Sequence, residues 1–269
     1  MKPVRPKKKL GQHFLNDLTI AKKIATLLDN QSCQKVLEIG PGMGVLTQFL
    51  VGKEKEIHLV EIDTESILFL KNRFSTEDVN LIQADFLTLD LSSFMGLTPF
   101  AVIGNFPYNI SSQIVFKVLE HKEYIPFFAG MFQKEVAERI CEPPGSKKYG
   151  ILSVLCQLYY TPIYLFTVPP HVFSPPPKVD SAVVEMKIKT ELNLDCDEKL
   201  LVQIVKQSFQ QRRKTLRNSL KTLNIPEFIR EDTIFGRRPE TLSGTEFIEL
   251  TKRISNGTVS NWLFFFRRH

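Results

Sequence analysis

Short apolar runs alternate with amphipathic stretches of helix length through most of this chain. KVLEIG (35–40), IHLVEID (57–63), NLIQAD (80–85), FAVIGN (100–105) and FFAGMF (127–132) each have the length and β-branched or aromatic content of a buried strand. Residues 18–28 carry apolar positions at helical spacing. Strands that alternate with helices predict βαβ units and a mainly parallel sheet. The texture changes after the proline-rich VPPHVFSPPPKVDS (168–181): one more strand-like run, AVVEMKI (182–188), and then helical patterning to the end. A boundary is therefore expected near residue 190, with an α/β domain over 1–190 and a small α-helical domain over 191–269.

Composition narrows the class. With 269 residues and 43% hydrophobic content, the chain can fill a full-sized core, which excludes wholesale disorder. A net charge of +6 permits a polyanionic partner without requiring one. The scattered Cys33, Cys141, Cys156 and Cys196 form no C-x-x-C pair, so neither a zinc site nor a disulfide framework is expected. The basic N-terminus has no apolar run behind it, and the apolar cluster 262–266 is too short to span a bilayer. A soluble, cytoplasmic protein is the expectation, with no membrane partner and no metal.

Candidate chemistry sits at the strand ends. Glu38-Ile39-Gly40-Pro41-Gly42-Met43-Gly44 follows a strand and precedes an expected helix. A dinucleotide fingerprint needs G-x-G-x-x-G, but here the third glycine comes one residue early. G-x-G-x-G after an acidic strand end is the pattern of Rossmann-like methyltransferases; an ordinary strand-to-helix turn is the plainer alternative. Glu61 ends the next strand, roughly 20 residues after Gly40, where a carboxylate can accept from ribose hydroxyls. Asp63 beside it reads equally well as a solvated loop residue. Asp85 ends the third strand, placed to accept an adenine amino group with Phe86 beside the ring. Gly loop, Glu and Asp at three successive strand ends match an open α/β sheet that binds its ligand at the carboxyl edge.

Asn105-Phe106-Pro107-Tyr108 follows the fourth strand and resembles the (D/N/S)-x-P-(Y/F) motif of amino-group methyltransferases. The adenine exocyclic amine is a poor nucleophile because its lone pair is delocalised into the ring. Two acceptors that take its N–H bonds, the Asn105 carboxamide oxygen and the carbonyl of Phe106 or Pro107, hold it against an electrophilic methyl, and Tyr108 offers a stacking face. Orientation of this kind removes much of a bimolecular barrier. Phe173, in the rigid Val172-to-Lys178 segment, is a candidate second stacking platform for a flipped base, or else a packed linker phenylalanine. Arg212, Arg213, Lys214, Arg217 and Lys221 lie on an expected helix whose spacing puts several on one face, suited to phosphates or simply to solvent. The N-terminal Lys7, Lys8 and Lys9 allow the same two readings.

Together GQHFLND (11–17), EIGPGMGVLT (38–47), GNFPYNIS (104–111), KKYGILSVLCQ (147–157), VFSPPPKVDSAVV (172–184) and FQQRRKTLRNSL (209–220) resemble the KsgA/RsmA family of ribosomal RNA adenine dimethylases. The resemblance implies a Rossmann-like S-adenosylmethionine methyltransferase sheet with a small C-terminal helical domain that binds rRNA. It implies dimethylation of the N6 amines of two adjacent adenosines in a hairpin loop near the 3′ end of small-subunit (16S) rRNA. The substrate would be an assembling 30S particle, the enzyme a monomer, and a role in subunit biogenesis would accompany the reaction. Carried over by motif, the cofactor contacts are His13, Leu15, Gly40, Glu61, Asp85 and Asn105, and the catalytic group is Asn105, Pro107, Tyr108 and Phe173. His13 departs from the family's usual G-Q-N-F-L and adds a titratable ring. The rival readings are an Erm-type large-subunit rRNA methylase and a non-catalytic assembly or transcription factor on the same fold.

Overall fold

The structure is a computed structural model that describes residues 4–191, 194–211 and 213–266, with side chains described as far as residue 256. In chain order the first unit contains β1 (Phe14–Leu15), α1 (Leu18–Thr26), β2 (Lys35–Ile39), β3 (Glu56–Glu61), α2 (Thr64–Arg73), β4 (Asn80–Gln83), α3 (Leu91–Met95), β5 (Phe100–Asn105), α4 (Ser111–Glu120) and β6 (Phe127–Gln133). After α5 (Lys134–Cys141) and α6 (Ile151–Tyr159) come β7 (Tyr160–Val168), β8 (Phe173–Ser174) and β9 (Ser181–Ile188). The remaining helices are α7 (Glu198–Ser208), α8 (Leu216–Ser219), α9 (Glu227–Arg230) and α10 (Gly244–Phe266).

Seven strands form one sheet in the order β4-β3-β2-β5-β6-β9-β7. The five strands from β4 to β6 pair in parallel, and β9 and β7 are antiparallel. The chain runs from β2 outward to β4, then returns to the other side of β2 with β5. That reversal opens a crevice at the carboxyl ends of β2 and β5, where ligands bind in open α/β sheets.

Alternation in the strands decides the two faces. Val36, Ile57, Leu59, Ala101, Ile103, Ala129 and Met131 join one core cluster with Ala21, Ile24, Ala25 and Leu28. The last four repeat at helical spacing on and just beyond α1, whose N-terminus is capped by Asp17: its Oδ1 accepts from Thr19 N at 2.8 Å and Ile20 N at 3.1 Å. The neighbouring positions Leu37, Val60, Val102 and Phe128 are buried on the opposite face.

Six strands sit where the apolar runs predicted them. Three features differ. The apolar YTPIYLFTV forms β7, which the sequence pattern did not suggest because Pro162 interrupts it; β7 is an edge strand, and an edge tolerates a residue that cannot donate to the ladder. No α-helix follows the glycine loop: residues 47–49 make a single 3-10 turn amid other turns. The basic stretch is not one helix either, because α7 ends at Ser208, Arg213 takes a left-handed φ of 71°, and only the short α8 resumes at Leu216.

The second compact unit comprises 139–159 and 189–269. The expected single division near 190 kept 139–159 with the sheet. In the structure α6 packs against α7 and α10, so buried Val154, Leu155 and Leu158 join Leu201, Ile204, Phe247 and Leu250 in a helical core. Gly244 permits the close approach of α10, since a Cβ there would stand 3.0 Å from Leu158.

Candidate active site

A cavity of about 210 Å³ opens at the switch point of the first unit, bounded by the ends of β2, β3, β4 and β5 and by the N-terminal segment. Gly40, Glu61, Asp85, Asn105, Pro107 and Tyr108 all line it, as does His13. Residues scattered over the sequence thus converge as the strand-end pattern predicted.

The glycine loop owes its path to left-handed backbone at Gly40, Gly42 and Gly44 (φ 67°, 56° and 73°). At Gly42 a Cβ would lie 2.9 Å from the Phe14 ring, and at Gly44 2.5 Å from Phe74. Glu61 braces this loop: Oε2 accepts from Gly42 N at 3.1 Å, and Oε1 from Ile62 N and Asp63 N, both at 2.9 Å. A carboxylate has about four acceptor sites, and the backbone N–H groups take three of them. Burial pushes the Glu61 carboxyl up, against the backbone N–H groups that favour its ionised form. Glu38 lies behind the same loop, fully buried, and Thr47 Oγ1 donates to it at 2.7 Å. Burial pushes its carboxyl up to about 8, the Thr47 hydrogen bond opposing and Glu61 adding to the rise. Burial thus favours the protonated form of Glu38.

Just beyond β4, Asp85 Oδ1 accepts from Leu87 N at 2.9 Å, and Asp85 lines the cavity together with Phe86. Asp63 faces away from this chemistry. It is buried, and its carboxylate receives Lys7 Nζ, Ser66 Oγ at 3.0 Å and Gln12 Nε2 at 3.5 Å. Burial alone would raise Asp63; these donors outweigh it and hold the carboxyl below the usual range. Lys7 also reaches Glu65 at 3.1 Å, and its main-chain N–H donates to Gln12 Oε1 at 2.8 Å. These contacts strap the N-terminal segment, whose residues Leu10 to Phe14 line the cavity, to Asp63. Lys7, expected with Lys8 and Lys9 as a phosphate contact, is engaged in that strap. Nothing in the sequence signals a pairing between residues so far apart.

The Asn105–Tyr108 loop is held by contacts from several segments. Asn105 Nδ2 donates to the His13 carbonyl at 3.0 Å, which settles the orientation of the carboxamide and leaves Oδ1 as its acceptor end. The Phe106 ring is buried, 5.0 Å from Phe128 and 4.9 Å from Phe132. It fits because Gly104 and Gly130 have no side chains: a Cβ at either would stand 2.8 Å or 2.5 Å from the ring. Pro107 O accepts from Ile110 N at 3.2 Å and closes the turn. The Tyr108 hydroxyl is hydrogen-bonded to Ser181 Oγ, and burial raises its pKa. His13 stacks on Tyr108 with centroids 5.1 Å apart and planes 28° from parallel. Its Nδ1 lies 2.7 Å from the Pro175 carbonyl. A carbonyl only accepts, so Nδ1 carries the proton.

Two expected contacts are not delivered to the cavity. Leu15 and Phe173 pair across β1 and β8, are 4% and 3% exposed, and belong to the core cluster. Phe173 therefore offers no open face for a base; its ring is consumed by packing. Leu15 instead lines a small cavity of about 30 Å³ together with Gly40, Gly42 and Asn105. Of the basic residues, Arg213, Lys214 and Arg217 are exposed in the helical unit, and Arg212 lies outside the described residues.

The chain matches the ribosomal RNA adenine dimethylase family over residues 4–240. It belongs to that family. It is 56% identical over 261 residues to the ribosomal RNA small subunit methyltransferase A of Flavobacterium johnsoniae, covering 97% of this chain and all of the relative. Its identity to the enzyme of the same name from Bacteroides thetaiotaomicron is 54%, over 94% of this chain and 96% of that one. Among solved structures, a dimethyladenosine transferase from Plasmodium falciparum superposes with a TM-score of 0.78 at 25% identity, covering 91% of this chain and 98% of that one. The 23S rRNA methyltransferase ErmE shares the fold, with a TM-score of 0.68, 24% identity and coverage of 90% and 99%. Adenine dimethylases of this family use S-adenosylmethionine, and the residues present fit it: a glycine cradle without Cβ atoms, one open Glu61 acceptor site and an Asp85 carboxylate on a single cavity wall. No helix among the described residues is long and apolar enough to cross a membrane.

Proposed function

We propose that this adenine dimethylase transfers methyl groups from S-adenosylmethionine to the N6 amines of two adjacent adenosines in a hairpin loop near the 3′ end of small-subunit (16S) rRNA. The carrying observation is the Asn105–His13 hydrogen bond, which presents Asn105 Oδ1 as an acceptor at the cavity wall. The relatives' names, which specify the small ribosomal subunit, support the choice of substrate over an Erm-type target.

S-adenosylmethionine supplies an electrophilic methyl on a sulfonium. The chain does the rest by positioning. Asn105 Oδ1 accepts one N–H of the target amine. The carbonyl of Phe106, or that of Pro107, which keeps a second lone pair beside its bond from Ile110 N, accepts the other. With both N–H bonds held, the target nitrogen would be fixed with its lone pair free for the methyl that a bound donor would supply, and the amine proton would leave to water. The base stacks on the Tyr108 face that His13 does not cover. Orientation provides most of the acceleration, and no strong general base is required. Glu61 holds a ribose hydroxyl and Asp85 the cofactor's adenine amine.

In this reading the substrate is rRNA within an assembling 30S particle, in the cytoplasm, and the protein acts as a monomer with a part in subunit biogenesis. Arg213, Lys214, Arg217 and Arg212 of the helical unit contact phosphates, with RNA shape rather than sequence readout deciding the site. The test uses purified protein, tritiated S-adenosylmethionine and small subunits from a strain lacking this activity. Label in N6,N6-dimethyladenosine is the expected result. Tight subunit binding without label would establish a non-catalytic assembly factor instead.

A further inference from the structure

Lys117, on α4, is 8% exposed and belongs to no motif. Its ammonium donates to three main-chain carbonyls of one turn: Phe86 O at 2.7 Å, Leu87 O at 3.1 Å and Leu89 O at 2.5 Å. It also lies 5.2 Å from the Phe86 ring centroid. An ammonium has three donors, and all three are used. A hydrophobe of similar volume would fill the space without the cost of burying a charge. Burial lowers the Lys117 pKa, with Glu120, Asp85 and Asp90 opposing, so the carboxylates around it favour the charged form.

The turn that Lys117 grips is the one that aims Asp85. Leu87 N holds Asp85 Oδ1 at 2.9 Å, and Thr88 N and Leu89 N return to Asp85 O at 3.1 Å and 3.0 Å. The ammonium thus fixes the peptides of 86–89, the Leu87 peptide fixes the carboxylate, and Oδ2 is left for a ligand. α4 begins just beyond the Asn105–Tyr108 loop, so the same helix ties that loop to the end of β4.

We infer that Lys117 is a positioning residue for the donor's adenine ring: it acts through the Phe86–Leu89 turn to hold the Asp85 carboxylate at the orientation that accepts the purine amino group. This rests on the reading of Asp85 given above. Lys117 touches no reacting atom, so its effect falls on donor affinity and on purine discrimination, and kcat at saturating donor stays within about twofold of wild type.

The experiment is a double-mutant cycle on the full chain, read by calorimetry with S-adenosylhomocysteine and with its inosine counterpart, which has no 6-amino group. K117M and D85A each weaken S-adenosylhomocysteine binding by about tenfold, the scale of one charge-assisted hydrogen bond. The double variant binds no worse than D85A, and K117M narrows the preference for the amino purine over the inosine form. Losses that multiply in the double variant, or an unchanged preference in K117M, overturn the inference and leave Lys117 as packing. An unchanged affinity in D85A overturns the Asp85 reading itself, a separate outcome. If K117M does not fold by thermal unfolding, K117Q, which keeps donors and drops the charge, carries the same cycle.

Discussion

The side-chain amide of Asn105 donates to the main-chain carbonyl of His13, 92 residues earlier in the chain, at 3.0 Å. That bond removes the ambiguity of a carboxamide, which otherwise presents either end. Asn105→Ala loses the acceptor and its orientation together. Turnover is expected to fall on the order of 10²-fold or more, with the melting temperature nearly unchanged. Single-turnover methyl transfer checks this, and wild-type rates in the variant would falsify the assignment.

Gly130 is where the packing under the Asn105–Tyr108 loop is decided. An added Cβ there meets the Phe106 ring at 2.5 Å and the Gly104 carbonyl as well. Gly130→Ala forces β5 and β6 apart next to Asn105. Overpacking of about 1–3 kcal/mol lowers the melting temperature by about 5 °C, and kcat drops more than donor KM rises. Phe106→Leu in that background recovers only part of the loss, because the Gly104 carbonyl still stands in the way. Full recovery would show that the ring alone was the obstacle.

Glu38 gives the fold a pH dependence of known sign. Its carboxyl is raised from an ordinary value of 4.5 to about 8, so between those values the native state holds a proton that the unfolded state has released. Stability from this group therefore falls as pH rises through that window. Glu38→Gln keeps an acceptor for Thr47 and removes the titration. The melting temperature of the variant minus that of wild type should grow from pH 5 to pH 9; a flat difference means Glu38 ionises without cost.

The Lys7–Asp63 ion pair closes the N-terminal strap. Lys7→Met is expected to weaken S-adenosylmethionine binding several-fold at low salt. The gap to wild type should narrow at high salt, where the exposed end of the pair is screened. Titrations at two ionic strengths measure both; equal affinities at low salt would detach the strap from donor binding.

The sequence by itself determined which segments became the interior strands and which residues stood at their carboxyl ends. Long apolar runs such as FAVIGN and FFAGMF have one stable environment, the buried sheet, and residues that end parallel strands share one edge. Gly40, Glu61, Asp85 and Asn105 followed from that alone. Elements whose local pattern is ambiguous were decided by tertiary structure. β7 contains Pro162 and is a strand only because it has an edge to occupy. α6 reads like any amphipathic helix, and the apolar faces of α7 and α10 take it out of the sheet unit. Phe173 lies in a motif that suggests an exposed platform, yet pairing of β8 with β1 buries it. Arg213 breaks the expected basic helix with a left-handed turn. Lys7 with Asp63, Lys117 with the Phe86–Leu89 turn, and Phe106 with Gly130 have no sequence signature, because their partners become neighbours only once the crossovers of the sheet bring distant segments together.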